Sequence, residues 1–332
     1  MDYHGEDLKI HLCSGLRICG KHWGYKNGFP VLALHGWLDN CATWDVLIPT
    51  LVSKYPNLRF NILAIDFAGH GKSDHRSLQT PYAKIFELQD CINVANAFGW
   101  DTFSLLGHSM GALVSTYIAG FFPTRIVSVI AIEVVAPLYM QNAHRVEKIA
   151  SGILETNKFL SRKNPELTKR IFVSVDKAVS ARMHGRHKVS EPAARLLVTR
   201  GIKPVESIND FGVESLAGWV WSSDQRMVIQ TPFPLSRQTA IEMLERIKCP
   251  LLCIMANHDM KQTFDTPEYK QVLDTRLEIV RFNDVASHHL HMELEFVDRV
   301  ASAIALFWDK HMKLLNLQIN SHKTDTRVKR KN

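Results

Sequence analysis

The stretch Leu105-Leu106-Gly107-His108-Ser109-Met110-Gly111 governs the reading of the whole chain, because it sets a serine between two glycines at the spacing of a nucleophile elbow. A serine on a tight strand-to-helix turn carries strained backbone angles, so positions 107 and 111 need glycine where any side chain would collide with the turn or the helix that follows. The flanks fit this geometry. Thr102 to Leu106 is a short apolar run suited to a buried strand, and Met110 to Phe122 is a helix-length run stopped by Pro123. Such a turn lifts the Ser109 hydroxyl out of the sheet. It also leaves the Met110 amide at a helix N-terminus, aimed where a tetrahedral intermediate carries its negative oxygen.

Working outward, Leu8 to Cys13 and Leu16 to Trp23 alternate apolar and polar residues around Ser14-Gly15 and read as an opening antiparallel hairpin. Val31 to Leu34, Phe60 to Ile65 and Ile126 to Ile132 are continuous apolar runs, the pattern of strands covered on both faces. Between them, Ala42 to Lys54 and Tyr82 to Phe98 repeat apolar residues at helical spacing. Strand and helix alternating in this way predict an α/β fold with a doubly wound, mostly parallel sheet. The alternation breaks over 136–245, where helical periodicities, many Lys and Arg residues and the Pro-rich Thr231-Pro232-Phe233-Pro234 predict an inserted helical cap. It resumes with Pro250 to Met255, Leu277 to Phe282 and the amphipathic Leu294 to Trp308. The expected organisation is a core in two parts, 1–135 and 246–312, a cap over 136–245 and a basic tail over 313–332.

A serine hydroxyl is a poor nucleophile at neutral pH and needs a histidine within hydrogen-bond reach, together with an acid that fixes the tautomer of that histidine. With an elbow on such a sheet the chain order is serine, acid, histidine, and the histidine follows the last strand. The loop there is Asn283-Asp284-Val285-Ala286-Ser287-His288-His289-Leu290-His291. His288 is the expected base because it opens the histidine segment and leaves the rest to start the final helix; His289 and His291 are alternatives. Asp259, just beyond the strand Pro250 to Met255, is the favoured acid, and Glu133, at the end of the preceding strand, is the other route to the same place. The glycine in His35-Gly36-Trp37-Leu38-Asp39-Asn40 lets the chain turn at the sheet's C-terminal edge, which makes the Trp37 amide the candidate second oxyanion donor beside that of Met110.

Composition narrows the classes further. At 332 residues with 46% apolar side chains, the chain can bury a large core. The net charge of +7 is concentrated in residues 141–200 and in the last dozen, which leaves the remainder acidic, so a nucleic-acid partner is not expected. The Asp66 to Asp74 loop is Gly-rich but lacks the spacing of a phosphate-binding P-loop. The six cysteines fall without metal-ligand spacing, several of them inside apolar runs. With no secretory signal, no apolar stretch long enough for a span and no C-terminal Ser-Lys-Leu, the expectation is a cytoplasmic protein without integral membrane contact.

Together these residues resemble the α/β-hydrolase fold superfamily, and within it the serine hydrolase-like protein family. The shared marks are His35 to Asn40, the Asp66 to Ser73 loop and Gly107 to Gly111, with Arg200-Gly201 and Ser223-Asp224-Gln225-Arg226 as the narrower signal. The resemblance runs from about Leu8 to His311 and implies an esterase-like hydrolase acting on a small acyl ester or thioester, without a metal or organic cofactor. Serine at 109 excludes the dehalogenases and epoxide hydrolases of this fold, which attack with a carboxylate. The rival from another class is a small-ligand-binding module that keeps the scaffold without turnover.

Overall fold

The computed structural model describes residues 5–135, 142–161, 169–208, 214–229, 235–257 and 267–311. In chain order the first half gives β1 (Glu6–His11), β2 (Arg17–Gly24), β3 (Phe29–Leu34), α1 (Leu47–Lys54), β4 (Phe60–Ile65), α2 (Lys84–Ala97), β5 (Phe103–His108), α3 (Met110–Phe121) and β6 (Ile126–Ile132). The second half gives α4 (Asn142–Leu160), α5 (Val175–Met183), α6 (Glu191–Gly201), β7 (Ile202–Ile208), β8 (Glu214–Trp221), α7 (Arg237–Arg246), β9 (Leu251–Ala256), α8 (Pro267–Leu273), β10 (Leu277–Phe282) and a final helix, α9, over 297–311.

Eight strands form one sheet in the order β1-β2-β4-β3-β5-β6-β9-β10. The opening hairpin is antiparallel and β2 runs antiparallel to β4, while every pairing from β4 through β10 is parallel. The continuous apolar runs are explained by cover on both faces. Along β3, Leu32 and Leu34 pack into a core shared with α2, α3, α7 and α8, whereas Val31 and Ala33 join α1 and α9 on the opposite face. The connection after β3 runs to one side of the sheet and that after β5 to the other, so the switch point lies between these two central strands. Their C-terminal ends open onto the crevice where such sheets hold ligands.

Two local expectations change. The single helix read over Ala42 to Lys54 is a short 3-10 turn, Cys41–Trp44, followed by α1. Pro49 accounts for the break: its ring would meet the carbonyl of Asp45 in a continuous helix, so it is tolerated only in the first turn of one that starts at Leu47. The segment expected to be a helical cap also contains an antiparallel pair, β7 and β8, extended by a bridge from Phe172 to Trp219. Pro204 and a register shift after Val205 sit inside this pair, and both obscure strand periodicity in the sequence. A small apolar cluster of its own, including Phe172, Val179, Ala194 and Leu197, holds α5 and α6 together. By contrast α7 packs into the sheet core: a side chain at Gly120 of α3 would collide with Met243.

The motifs that carried the narrower resemblance fasten α6 and the turn after β8 to the residues around β4 and α2. Arg200 of α6 is buried and donates to both carboxylate oxygens of Asp66 (2.9 and 3.1 Å) and to Asp7 (2.6 Å). Asp66, fully buried, also accepts from the amides of Cys41 and Lys72 at 2.7 and 2.9 Å. Asp224 accepts from the Tyr82 hydroxyl (2.9 Å), and its own amide donates to the Gly69 carbonyl (2.9 Å). Arg226 donates to Asp224 at 2.7 Å and to the Ser77 carbonyl at 2.7 Å. Among the described residues no helix is long and apolar enough to cross a membrane.

Candidate active site

Ser109 sits between β5 and α3 with φ 50° and ψ −110°, the strained turn expected of an elbow. Its amide donates to the Ile132 carbonyl of β6 (3.0 Å), which pins the turn to the neighbouring strand. The flanking glycines are sterically required. A Cβ at Gly107 would lie 2.5 Å from the Ala112 backbone, and one at Gly111 would overlap the Leu34 carbonyl. The turn therefore nests between β3, β5 and the start of α3, and Met110 is the first residue of that helix.

The loop from β3 into α1 is held by histidines. His35 donates from Nδ1 to the Gly36 carbonyl (2.7 Å) and accepts the Phe67 amide at Nε2 (3.0 Å). His70 accepts the Leu38 amide at 3.3 Å. Burial lowers the pKa of both rings, so both act as neutral hydrogen-bond partners. This fixes the backbone around Trp37, whose residue lines the same cavity as Ser109.

Directly after β6, Glu133 adopts φ 79° and is buried. Its amide donates to the Ile254 carbonyl (2.8 Å), Oε1 accepts the Ala256 amide (2.7 Å), and Oε2 accepts from His288 Nδ1 (3.2 Å). The carboxylate thus anchors a strand end and orients an imidazole at once. Asp259, the acid favoured from sequence, lies outside the described residues; the carboxylate found on His288 is that of Glu133. The His288 carbonyl accepts a hydrogen bond from His108 Nε2 (2.9 Å), and its ring stacks on His187 of the α5–α6 loop with centroids 4.3 Å apart.

The other two histidines of the loop are used differently. His289 Nε2 lies 2.9 Å from Asp39 Oδ2 and 3.0 Å from Arg182 Nη2, and that same guanidinium donates to Asp39 Oδ1 at 3.0 Å. Burial acts to raise the Asp39 pKa, but the charges of His289 and Arg182 outweigh it and hold the carboxyl well below its ordinary value. His291 is fully buried, lies 2.8 Å through Nε2 from the Thr43 hydroxyl and packs against Trp44. Burial pushes the pKa of His108 and of His291 well below the usual imidazole value, and neighbouring histidines push in the same direction. His187 falls to about 4, first through burial and then through His288.

Ser109, His288 and His289 open onto one cavity of about 320 Å³, walled on the core side by Trp37 and on the insertion side by Arg182 and Trp221. His291 is not part of that wall. Sequence reasoning missed Asp39, Arg182 and His187 as site residues. Asp39 lay within the quoted His35 to Asn40 motif, whereas nothing in the local sequence of α5 or its following loop marks Arg182 or His187.

An elbow serine at the C-terminal edge of a doubly wound sheet, with a carboxylate-held histidine after the last strand, defines a class, and comparison with known proteins agrees. The chain matches the alpha/beta hydrolase fold family over residues 30–187. It is 30% identical to a probable serine hydrolase of Drosophila melanogaster, covering 86% of this chain and 83% of the relative. A serine hydrolase-like protein 2 of Homo sapiens is 28% identical over 91% of this chain and 93% of its own length. Among solved structures, a hypothetical protein of Pseudomonas aeruginosa superposes with a TM-score of 0.77 at 30% identity, covering 92% of this chain and 99% of that one. This chain belongs to the α/β-hydrolase fold family and, within it, to the serine hydrolase-like proteins.

Proposed function

We propose that the protein is a serine hydrolase that cleaves a small carboxylic ester or thioester through an acyl-enzyme on Ser109. The observation that carries this reading is the Glu133–His288 pair, with its 3.2 Å contact at Nδ1, opening onto the same cavity as the strained serine. A histidine held through Nδ1 by a carboxylate keeps its proton there and presents Nε2 as the base.

Ser109 Oγ attacks the acyl carbon while its proton passes to His288 Nε2. The amides of Trp37 and Met110 hold the oxyanion, and Glu133 stabilises the imidazolium that forms. Collapse breaks the bond to the leaving alkoxide or thiolate, which takes the proton from His288. Water, deprotonated by the same ring, then releases the acid and restores the serine. Esters and thioesters are preferred to amides because their leaving groups depart with less protonation. Residues 136–245 act as a cap whose α5 and following loop close the acyl pocket.

Steady-state hydrolysis of p-nitrophenyl esters and acyl thioesters of graded chain length tests this reading. Turnover by the wild type is expected to fall by at least about 10⁴-fold in Ser109→Ala. A folded wild type without turnover on any of these substrates, yet binding them, would instead favour the ligand-binding module.

A further inference from the structure

Behind the nucleophile lies a set of donor atoms that the hydrolytic chemistry does not use. A carboxylate oxygen of Asp39, a ring nitrogen of His108 and one of His289 converge within 4.8 Å of one another, and all three residues are buried. The tautomer of His108 is set by its surroundings: Nε2 donates to the His288 carbonyl, so Nδ1 carries the lone pair. That Nδ1 is buried with no hydrogen-bond partner among the described residues. Burial also keeps this ring neutral, and a lone pair in that position has no donor to meet.

The space in front of these atoms is kept by glycine. A Cβ at Gly36 would stand 2.9 Å from His108 Nδ1 and 3.1 Å from Asp39 Oδ2. His289 Nε2 meanwhile faces the carboxylate at 2.9 Å and the Arg182 guanidinium at 3.0 Å. One ring nitrogen cannot donate to the first and accept from the second at the same time.

We propose that Asp39 Oδ2, His108 Nδ1 and His289 Nε2 form a binding site for a divalent transition-metal ion of the zinc type. A tetrahedral zinc with bonds of about 2.0 Å separates its ligand atoms by roughly 3.3 Å, so small side-chain adjustments bring the three atoms, now within 4.8 Å of one another, onto one ion. Two imidazoles and one carboxylate select Zn²⁺, Co²⁺ or Ni²⁺ over Mg²⁺ and Ca²⁺, which prefer all-oxygen shells. All three residues also line the cavity that holds Ser109. Arg182 holds Asp39 through Oδ1 and leaves Oδ2 for the metal, but its charge beside the ion opposes binding, so occupancy is reversible.

Calorimetric titration of the full-length protein with Zn²⁺, and with Mg²⁺ as the control, tests the site without any substrate. A failure here is thus separable from a failure of the hydrolase reading. One equivalent of Zn²⁺ is expected to bind and Mg²⁺ is not, and Co²⁺ should give the visible absorption of a low-coordinate N/O site. Asp39→Asn and His289→Asn should each weaken Zn²⁺ binding by at least about ten-fold. Arg182→Gln should strengthen it several-fold. The proposal is overturned if the wild type takes up no stoichiometric Zn²⁺, or if folded Asp39→Asn or His289→Asn binds as tightly as the wild type. Should both of those variants fail to fold, an Arg182→Gln protein with unchanged or weaker affinity overturns it instead.

Discussion

Two imidazole–carboxylate pairs stand side by side at this cavity, Glu133 with His288 and Asp39 with His289, and they differ in which nitrogen is tied. Glu133 takes His288 by Nδ1, at 3.2 Å, and leaves Nε2 as the nitrogen for chemistry. Asp39 takes His289 by Nε2, at 2.9 Å, alongside an arginine that already neutralises the carboxylate, and His289 Nδ1 is buried without a hydrogen-bond partner among the described residues. Both pairs join a buried carboxylate to a buried imidazole, so burial alone does not separate the two histidines. The attachment point differs, and the proposed mechanism takes the ring held through Nδ1 as the one that turns Nε2 outward.

The sharpest way to break this comparison is Glu133→Gln. The amide oxygen can keep the bond from Ala256, which leaves the NH₂ group facing His288 Nδ1 and forces the proton onto Nε2. Ester turnover should fall by about 10⁴-fold with little change in fold, measured as kcat beside a circular-dichroism spectrum.

The buried ion pair of Arg200 with Asp66 serves as a contrast because it fastens elements rather than lining the cavity. Replacing Arg200 with methionine strands a buried carboxylate and should cost about 3 kcal/mol in denaturant unfolding. A loss well under 1 kcal/mol would mean that the amides of Cys41 and Lys72 alone satisfy Asp66. The smallest effect is expected from Asp39→Asn. Ester turnover should drop by no more than about ten-fold, against the 10²- to 10⁴-fold loss that removal of a working base brings. A larger loss would move the base to His289.

Much of this architecture is legible in the sequence, for a physical reason. Strands covered on both faces must be apolar throughout, so Phe60–Ile65 and Ile126–Ile132 are recognised with their ends in place. The elbow is equally readable, because only glycine fits at 107 and 111. The insertion resists the same treatment. Its hairpin carries Pro204 and a bulge, and its helices bury only narrow faces in a small cluster of their own.

Within the site, His288 could be placed by its position after the last strand. Choosing between Glu133 and Asp259 could not be done from chain order, because both follow strands that end at the same edge of the sheet. Glu133 is held by a positive φ and by the Ala256 amide, neither of which has a sequence signature. Arg182 and His187 reach the cavity from α5 and its following loop, about a hundred residues from His288, and only the folded chain brings them together.

Reaction of the full-length protein with a fluorophosphonate, followed by peptide mass spectrometry, tests the central claim most directly. A single phosphonyl adduct on Ser109 is expected, formed rapidly by the wild type and at least about a hundred-fold more slowly by Glu133→Gln. An unlabelled Ser109 in the folded wild type, or labelling that is indifferent to the loss of the Glu133 carboxylate, would contradict it.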